Sequence, residues 1–364
     1  MVEIRQLLRD LERNRQSYDL HLRVAEAYLG NALFAGSDLV VDGVLLGHIT
    51  DWSAIYSAIE HLRTSLKLKQ TYKGSLLLLT ALIRLFHFQM AESVALETMK
   101  HFSGQEALCI GLLLAHAQIC RGATLRASDT LYYLGPKDFV EAKQQLDRMR
   151  ADERSGQAKS ILAESYNVPW LLSGLTRESF RDFCARLHLR RAHEEETDAY
   201  MAQHYNWSAD FCFDTARRLH GERMFRQAAY FYSMASFLEV KDSQARTSTS
   251  VLLSLMGEHE MAYKRFRKLM DKQPQEHSLY VLGGLAAISN FEPMKLGIVL
   301  AKAKANGISS VFLDLQWAFY HEQRNEPRQA LQYFQQALAA DAQMQIAQLG
   351  INRIESVNEY QAVG

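Results

Sequence analysis

Residues of the kinds that perform chemistry occur in this sequence, but their spacing does not favour a catalytic or metal site. Cys109, His116 and Cys120 fall at i, i+7 and i+11 of one apolar segment. Ligands spread over more than about 10 Å of helix cannot all reach one zinc ion at about 2 Å. A cysteine in a helix rich in leucine and alanine is usually a small core residue. The spacing therefore predicts buried thiols.

A second pair, Cys184 and His188, has the i, i+4 spacing of a thiol beside an imidazole. Neither a third orienting residue nor an oxyanion loop accompanies this pair. The stretch HEEET at 193–197 lacks the second histidine of a zinc-protease helix, and the sequence contains no phosphate-binding G-x-x-x-x-G-K-[ST] loop. We therefore expect no enzymatic activity, no cofactor and no bound metal.

The composition indicates a helical protein without an overall charge preference. The 364 residues are 48% hydrophobic and include only 5 prolines, which favours long helices around a large core. Because 41 basic residues balance 41 acidic ones, nothing steers the whole chain toward nucleic acid or anionic lipid. The basic run at 263–272 is accordingly expected to be a solvated helix face. The 4 cysteines form no C-x-x-C pair and indicate reduced thiols.

The sequence predicts neither a secretion signal nor a membrane span. It starts with MVEIRQLLRDLERN, which has the pattern of a charged amphipathic helix. The most apolar stretch, SLLLLTALIRLFHF, is interrupted by Arg84 after nine residues, whereas a membrane span needs roughly twenty. We expect a cytoplasmic protein that does not insert into membranes.

A period of 34 residues runs through the C-terminal part of the chain. It first appears as triplets of small and large residues at helical spacing: Ala228, Tyr232 and Ala235; Ala262, Phe266 and Leu269; Leu296, Leu300 and Ala303; and Ala330, Phe334 and Ala337. Twelve residues before each triplet lies a small residue: Ala216, Ser250, Gly284 and Ala318. Such a period predicts helix–turn–helix units that stack on one another, with close helix crossings at the small positions.

This pattern resembles the tetratricopeptide repeat (TPR), which implies an all-α fold, a right-handed α-α superhelix. The resemblance is clearest over residues 209–342, where four units are followed by a C-terminal capping helix within 208–364. Residues 1–135 are predicted to form degenerate helical hairpins of the same kind, and 136–207 an irregular helical connecting region. The third unit, with Leu296 at its first triplet position, departs most from the family's pattern.

One stretch differs from the helical pattern around it. LVVDGVLLGHI, residues 39–49, places Asp-Gly between apolar residues, which is the sequence of a tight β-hairpin. It is predicted to be either a short hairpin or a loop insertion.

In a superhelix of this kind, the first helix of each unit lines a concave groove. At helical spacing, the inward positions include eight residues that we predict to contact a partner: Phe213, Arg217, Val251, Val281, Leu285, Ile288, Leu315 and Phe319. Family members that clamp a terminal carboxylate use Lys and Asn at such positions, whereas this chain has Phe213 and Arg217, then Thr247 and Val251. An apolar peptide or amphipathic helix fits this groove better. The alternative, that the chain's own helices fill the groove, stays open.

The sequence therefore favours a non-catalytic interaction module, an adaptor, scaffold or chaperone for another protein or peptide. The alternative is a regulator of a signalling or transcription pathway that responds to a peptide or ligand. A nucleic-acid binder is less favoured, and self-association stays open.

Overall fold

A computed structural model of the chain describes residues 2–41, 44–123, parts of 126–134, 208–221, 225–238 and 243–363. The predicted connecting region at 136–207, with Cys184 and His188, lies outside the described residues. The described part is an all-α repeat array, to which a single two-stranded ribbon is added.

The N-terminal half consists of helices that pack in antiparallel succession. They are α1 (Val2–Arg13), α2 (Tyr18–Ala35), α3 (Trp52–Leu68), α4 (Tyr72–Arg84), α5 (Phe88–Thr98) and α6 (Gly104–Cys120). Ser17, Asp51 and Thr71 cap α2, α3 and α4, because each side chain accepts a hydrogen bond from a backbone N–H of the first turn. Each of these helices contacts the next one along the chain.

The stretch 39–49 forms an antiparallel ribbon that is inserted between α2 and α3. Its strands are β1 (Ser37–Val41) and β2 (Val44–Ile49), and a bulge shifts the register between Leu39 and Val40. The sequence predicted either a short hairpin or a loop insertion here, and the structure contains the hairpin. Strand β2 faces the C-terminal half, where the Leu45 carbonyl accepts a hydrogen bond from His220.

The C-terminal half has helices at a strict 34-residue interval. The first helices are α7 (Ala209–Gly221), α9 (Ser243–Leu255), α11 (His277–Ser289) and α13 (Val311–Gln323), and the second helices are α8 (Phe225–Leu238), α10 (His259–Lys272), α12 (Pro293–Ala305) and α14 (Pro327–Ala340). The last helix, α15 (Gln345–Val363), follows α14. This part of the chain thus contains four helix pairs, one for each period of 34 residues.

The small positions of the repeat lie at tight helix crossings, as predicted. Ala216, Ser250 and Ala318 are fully buried. At Gly284 an added Cβ would lie 2.0 Å from Oε1 of Gln316 on the next first helix, so even a methyl group has no room there. Every residue of the four triplets is also buried, at 5% exposure or less. The period therefore marks the core positions of each unit.

The turns within the second, third and fourth units each use a residue in the left-handed region. Gly257, Phe291 and Asn325 have φ values of 87°, 55° and 56° and stand 34 residues apart. Gly and Asn adopt this conformation readily, whereas Phe does so rarely. Phe86, between α4 and α5, has the same conformation with φ of 60°, so this N-terminal pair has the turn of the C-terminal units.

The N-terminal half folds back onto the first helices of the C-terminal half. We call α2, α3, β2 and the turn between α4 and α5 the N-terminal cover. Contacts of α3 with α13, of α2 with α15, and of β2 with α7, α9 and α11 place this cover against the concave side of the repeats.

Candidate functional site

The predicted groove residues belong to the first helices of the units, α7, α9, α11 and α13, and we call the face that they define the concave wall. Six of the eight are buried: Val251, Val281, Leu285, Ile288, Leu315 and Phe319, with exposures between 1% and 7%. Phe213 is half-buried and Arg217 is exposed. The wall is therefore covered from α9 to α13 and accessible at the α7 end.

The rings of the N-terminal cover pack on the covered part of the wall. Phe319 has edge-to-face contacts with Trp52 and Tyr56 of α3, with ring centroids 6.0 and 5.2 Å apart. The Tyr56 hydroxyl donates a hydrogen bond to the backbone carbonyl of Ile288. Such aromatic pairs contribute about 0.5–1.5 kcal/mol beyond the area they bury. The cover is thus held by specific geometry as well as by apolar burial.

Strand β2 approaches the wall closely because it has a glycine at the contact. A Cβ at Gly47 would lie 3.0 Å from Cδ1 of Leu285, a distance that a larger residue could meet only by displacing the leucine. A small cavity remains beside this contact, lined among others by Val251 and Leu285 of the wall and by Gly47, Trp52 and Arg84 of the N-terminal half.

The sequence left open whether a partner or the chain itself fills the groove. In the structure these six residues are all buried, and the N-terminal cover packs on three of them, Leu285, Ile288 and Phe319. An apolar stripe at helical spacing looks the same in sequence whether it faces a partner or another part of the chain. A partner can contact Leu285 or Phe319 only where the N-terminal cover has moved away. Their role in partner binding therefore stays a prediction, whereas Phe213 and Arg217 can be reached directly.

An ion-pair cluster, which we call the clasp, joins the cover to the end of the array. Arg353 of α15 donates to Asp51, the N-cap residue of α3, and to both carboxylate oxygens of Glu322 on α13, with Nε and Nη2 each 2.9 Å from an oxygen. Ser53 donates to the same Glu322 carboxylate at 2.6 Å. The second Asp51 oxygen caps α3 by accepting from the Ala54 N–H at 3.1 Å.

The clasp is largely buried, with side-chain exposures of 3% for Asp51, 12% for Glu322 and 15% for Arg353, so its charges interact strongly with one another. Burial disfavours the charge on Arg353, but the carboxylates of Asp51 and Glu322 outweigh it and raise the arginine's pKa. For Glu322, burial is the larger effect and raises the carboxyl pKa against the opposing Arg353 charge. Removing one member of such a group leaves an uncompensated buried charge, which typically destabilises a protein by about 3–5 kcal/mol.

Buried histidines make further contacts between the two halves. His220 of α7 donates from Nε2 to the Leu45 carbonyl at 2.9 Å, and His259 of α10 donates from Nε2 to the Phe86 carbonyl at 3.2 Å. His87, next to Phe86, lies edge-to-face on His259 with centroids 5.0 Å apart. Each ring joins the C-terminal repeats to the cover.

These histidines are held in the neutral form. Burial lowers the pKa of His220 to about 4 and that of His259 to about 4. Burial and the nearby charges of His259 and Arg63 lower the pKa of His87 to about 3. The buried Nε2 of His87 and Nδ1 of His220 have no hydrogen-bond partner within the described part of the chain, so a proton added there would find no acceptor.

Reasoning from sequence missed the residues of the clasp and the buried histidines. The last helix was predicted only as a solvating cap, yet its Arg353 reaches Asp51 across 302 positions. The one available signal was its place in the helix, since Arg353 adjoins the buried Ile351 and Ile354 and so stands beside the packed stripe. Nothing in the sequence indicated where its acidic partners lay.

In the part of the chain that the structure describes, the cysteines and the histidine considered above as possible metal ligands do not form a metal site. Cys109 is buried, and burial raises the pKa of its thiol, while the Cys120 Sγ lies 3.6 Å from Nδ1 of His116 on the same helix. Among the described residues, no group of three or more His, Cys, Asp or Glu side chains is arranged to hold a metal ion. Nor does any helix there have the length and apolar character to span a bilayer.

Comparison with known proteins finds similarity only at the level of solved structures. No family model matches the chain, and no curated protein matches it. A tetratricopeptide repeat protein from Parabacteroides merdae aligns at 12% identity and a TM-score of 0.35, over 84% of this chain and 94% of that one. The APC/C hetero-tetramer Cut9–Hcn1 aligns at 11% and 0.38, over 85% and 82%. Yeast Tom70 aligns at 11% and 0.32, over 99% and 92%.

Proposed function

We propose that this TPR-like array is a non-catalytic protein–protein interaction module that binds a partner protein or an apolar peptide segment along its concave wall. The observation that carries the proposal is the set of four helix pairs at a 34-residue interval. Arrays of this kind present extended concave surfaces, and each unit adds contacts without having to build a pocket of its own.

The accessible α7 end is the part of the wall where a partner makes its first contact. Phe213 is half-buried against Tyr232, with ring centroids 5.3 Å apart, and Arg217 follows one helical turn later with its side chain exposed. An aromatic side chain beside an arginine is a combination typical of residues that dominate binding energy at protein interfaces. The covered residues, Val251 to Phe319, would join the contact only when the cover is displaced.

Site-specific photocrosslinking on the full-length chain tests this proposal. A photoreactive amino acid in place of Arg217 should give adducts with discrete partner proteins in living cells, and Phe213→Asp in the same chain should abolish them. The matched control carries the photoreactive residue in place of Ser93, which is exposed on α5 and away from the wall. Equal adducts at both positions, or adducts that survive Phe213→Asp, would contradict a binding role for the α7 end.

The second candidate is a regulator, and the clasp favours it. Arg353, Asp51 and Glu322 connect the last helix, the cover and the wall at one point, so a ligand that opens this point exposes the wall. A ligand shifts such an equilibrium only by its difference in affinity for the two states. Small-angle neutron scattering of the chain with a contrast-matched partner distinguishes the candidates: a changed radius of gyration of the chain itself, such as compaction, indicates a regulator, and an unchanged one indicates a static scaffold.

Reduced cysteines support a cytoplasmic location as part of the proposal. Cys109, Cys120 and Cys212 form no disulfide within the described part of the chain. Disulfides form in oxidising compartments, whereas free buried thiols are typical of reducing ones.

A further inference from the structure

The second helices of the two middle units, α10 and α12, carry a net positive charge, whereas the whole chain has no net charge. Helices α10 and α12 together contain eight Lys or Arg residues and two acidic residues, although the whole chain has 41 of each sign. These helices belong to the outer layer of the array, so this surface is separate from the concave wall. The basic run at 263–272, which the sequence predicts to be a solvated face, forms most of it.

The two acidic residues of this surface are already neutralised within it. Glu260 contacts Lys264 at 3.1 Å and also binds Lys295 of the neighbouring helix. Asp271 binds Lys302 in the same way. These cross-helix pairs sit near the two ends of α10 and fix α10 and α12 side by side.

Four further cations on α10, Arg265, Arg267, Lys268 and Lys272, form no ion pair within the described part of the chain. Arg265, Lys268 and Lys272 are exposed, and they follow one another at spacings of three and four residues on one helix face. With Lys264 they form a stripe of positive charge.

An apolar stripe runs beside this basic stripe on α12. Met294 and Ile298 are 72% and 52% exposed, and Met261, at the start of α10, is 49% exposed. Met261 and Met294 are the chain neighbours of Glu260 and Lys295, so they flank the same cross-helix ion pair. Exposed Ala301 and Ala305 continue the α12 stripe at helical spacing.

From these two stripes we infer that the α10–α12 face is a docking surface for an acidic amphipathic protein segment, whose aliphatic residues lie on Met294 and Ile298 and whose carboxylates lie on Arg265, Lys268 and Lys272. Complementary charge fixes the register and orientation of such a contact, while the buried apolar area stabilises it. The stripe from 261 to 272 is about 16 Å long, which matches roughly three turns of a docked helix.

The arrangement of the stripes favours a protein segment over the other anionic partners. A nucleic acid would leave the apolar stripe against phosphates. A membrane-binding face has apolar residues with basic residues on both sides, but the next second helix, α14, presents glutamines instead. They are Gln329, Gln332, Gln335 and Gln336, all exposed.

Fluorescence anisotropy with a defined probe tests this inference. The probe is a labelled helical peptide of roughly 18 residues, with leucines along one stripe and glutamates along one flank. We expect the full chain to bind it, and Arg265→Gln with Lys268→Gln and Lys272→Gln to weaken binding about tenfold. Met294→Ser with Ile298→Ser should weaken it by a similar factor. A scrambled peptide of the same charge should bind at least several-fold less tightly.

A charge-matched control removes three exposed cations elsewhere, Arg13→Gln, Lys67→Gln and Arg328→Gln, and should leave the affinity within about twofold. The inference fails if this control weakens binding as much as the α10 variant, if the Met294 and Ile298 variant binds unchanged, or if the full chain does not bind the peptide. It also fails if single-stranded RNA, or vesicles of phosphatidylserine and phosphatidylcholine, bind this face more tightly than the peptide does. Because no wall residue is altered, these outcomes do not depend on the proposed function of the concave wall.

Discussion

Arg353 on the last helix forms a buried ion pair with Asp51, the residue that caps α3, although the two are 302 positions apart in the sequence. The same guanidinium makes two hydrogen bonds of 2.9 Å with Glu322 at the end of the wall. One side chain thus joins the cover, the wall and the final helix. An open superhelix would keep its first and last helix pairs apart, so this contact closes the array on itself.

Replacement of the arginine is expected to destabilise the chain strongly. Arg353→Met leaves the Asp51 and Glu322 carboxylates buried without a compensating charge, at an expected loss of about 3–5 kcal/mol in the free energy of unfolding. Urea denaturation followed by circular dichroism measures this loss. The control is Arg328→Met on the exposed side of α14, where we expect a change within about 0.5 kcal/mol.

A neutral version of the clasp separates the charge effect from the packing effect. Arg353→Met combined with Asp51→Asn and Glu322→Gln keeps the volumes similar and removes all three charges. It should recover more than half of the loss, because no unpaired buried charge remains. If the triple variant is no more stable than Arg353→Met alone, the charge argument is wrong.

The free energy of unfolding should fall with acidification because His87, His220 and His259 are buried as neutral rings. An unfolded histidine has a pKa of about 6.5, whereas the folded values for His220 and His259 are about 4. Between these values the unfolded chain binds more protons than the folded chain. The stabilisation is therefore complete above about pH 6.5 and is lost as the pH falls toward 4, at about 1.4 kcal/mol per pH unit for each histidine.

Urea denaturation at several pH values between 7.5 and 4.5 measures how steeply the free energy of unfolding falls with acidification. His220→Gln should reduce this slope by the contribution of one histidine, about 1.4 kcal/mol per pH unit. The matched control is His277→Gln, an exposed histidine at the start of α11, which should leave the slope unchanged. A slope that is equal in both variants would show that His220 in the folded chain binds its proton over the same pH range as in the unfolded chain, and is not held neutral.

The repeats were predictable from the sequence because the same close packing of two helices recurs in each unit. Ala216, Ser250 and Ala318 lie where two helices cross closely, and only small residues fit there. This requirement recurs with the period of the structure, so it is visible in one sequence. The clasp was not predictable, since the partnership of Arg353 with Asp51 occurs once and depends on how the two halves fold together.

The third unit also contains a feature that the repeat pattern of the sequence could not predict. Its turn residue, Phe291, takes the left-handed conformation for which the neighbouring units use Gly257 and Asn325. Such a conformation costs about 1–3 kcal/mol in a residue of this type. The ring of Phe291 stacks on His87 with centroids 4.3 Å apart and contacts Tyr56 at 4.6 Å. These contacts with the N-terminal cover offset the backbone strain at Phe291. A repeat pattern in the sequence cannot predict them.

The crossing at Gly284 allows a direct test of the small positions. Gly284→Ala places a methyl group 2.0 Å from Oε1 of Gln316, a buried side chain that already donates to the Val281 carbonyl at 2.9 Å. Overpacking of this kind costs about 1–3 kcal/mol and outweighs the gain of about 1 kcal/mol from replacing a helical glycine. Thermal unfolding should show a lower Tm.

The matched substitution is Gly221→Ala at the end of α7, where an added Cβ meets nothing within 4 Å. This variant should have an unchanged or slightly higher Tm, because the helix gains and nothing clashes. Equal effects of the two substitutions would remove the evidence for a close crossing at Gly284.

In solution, we expect the N-terminal cover to pack on the concave wall as it does in the structure. Phe319 is 2% exposed and packs on Trp52 and Tyr56, whereas Phe237 at the end of α8 is 77% exposed. Phe319→Ala should therefore lower the free energy of unfolding by about 3–5 kcal/mol, and Phe237→Ala should change it by no more than about 0.5 kcal/mol. Urea denaturation of both variants measures the difference. If the two losses are equal, the N-terminal cover is not seated on the wall, and Phe319 is then open to a partner.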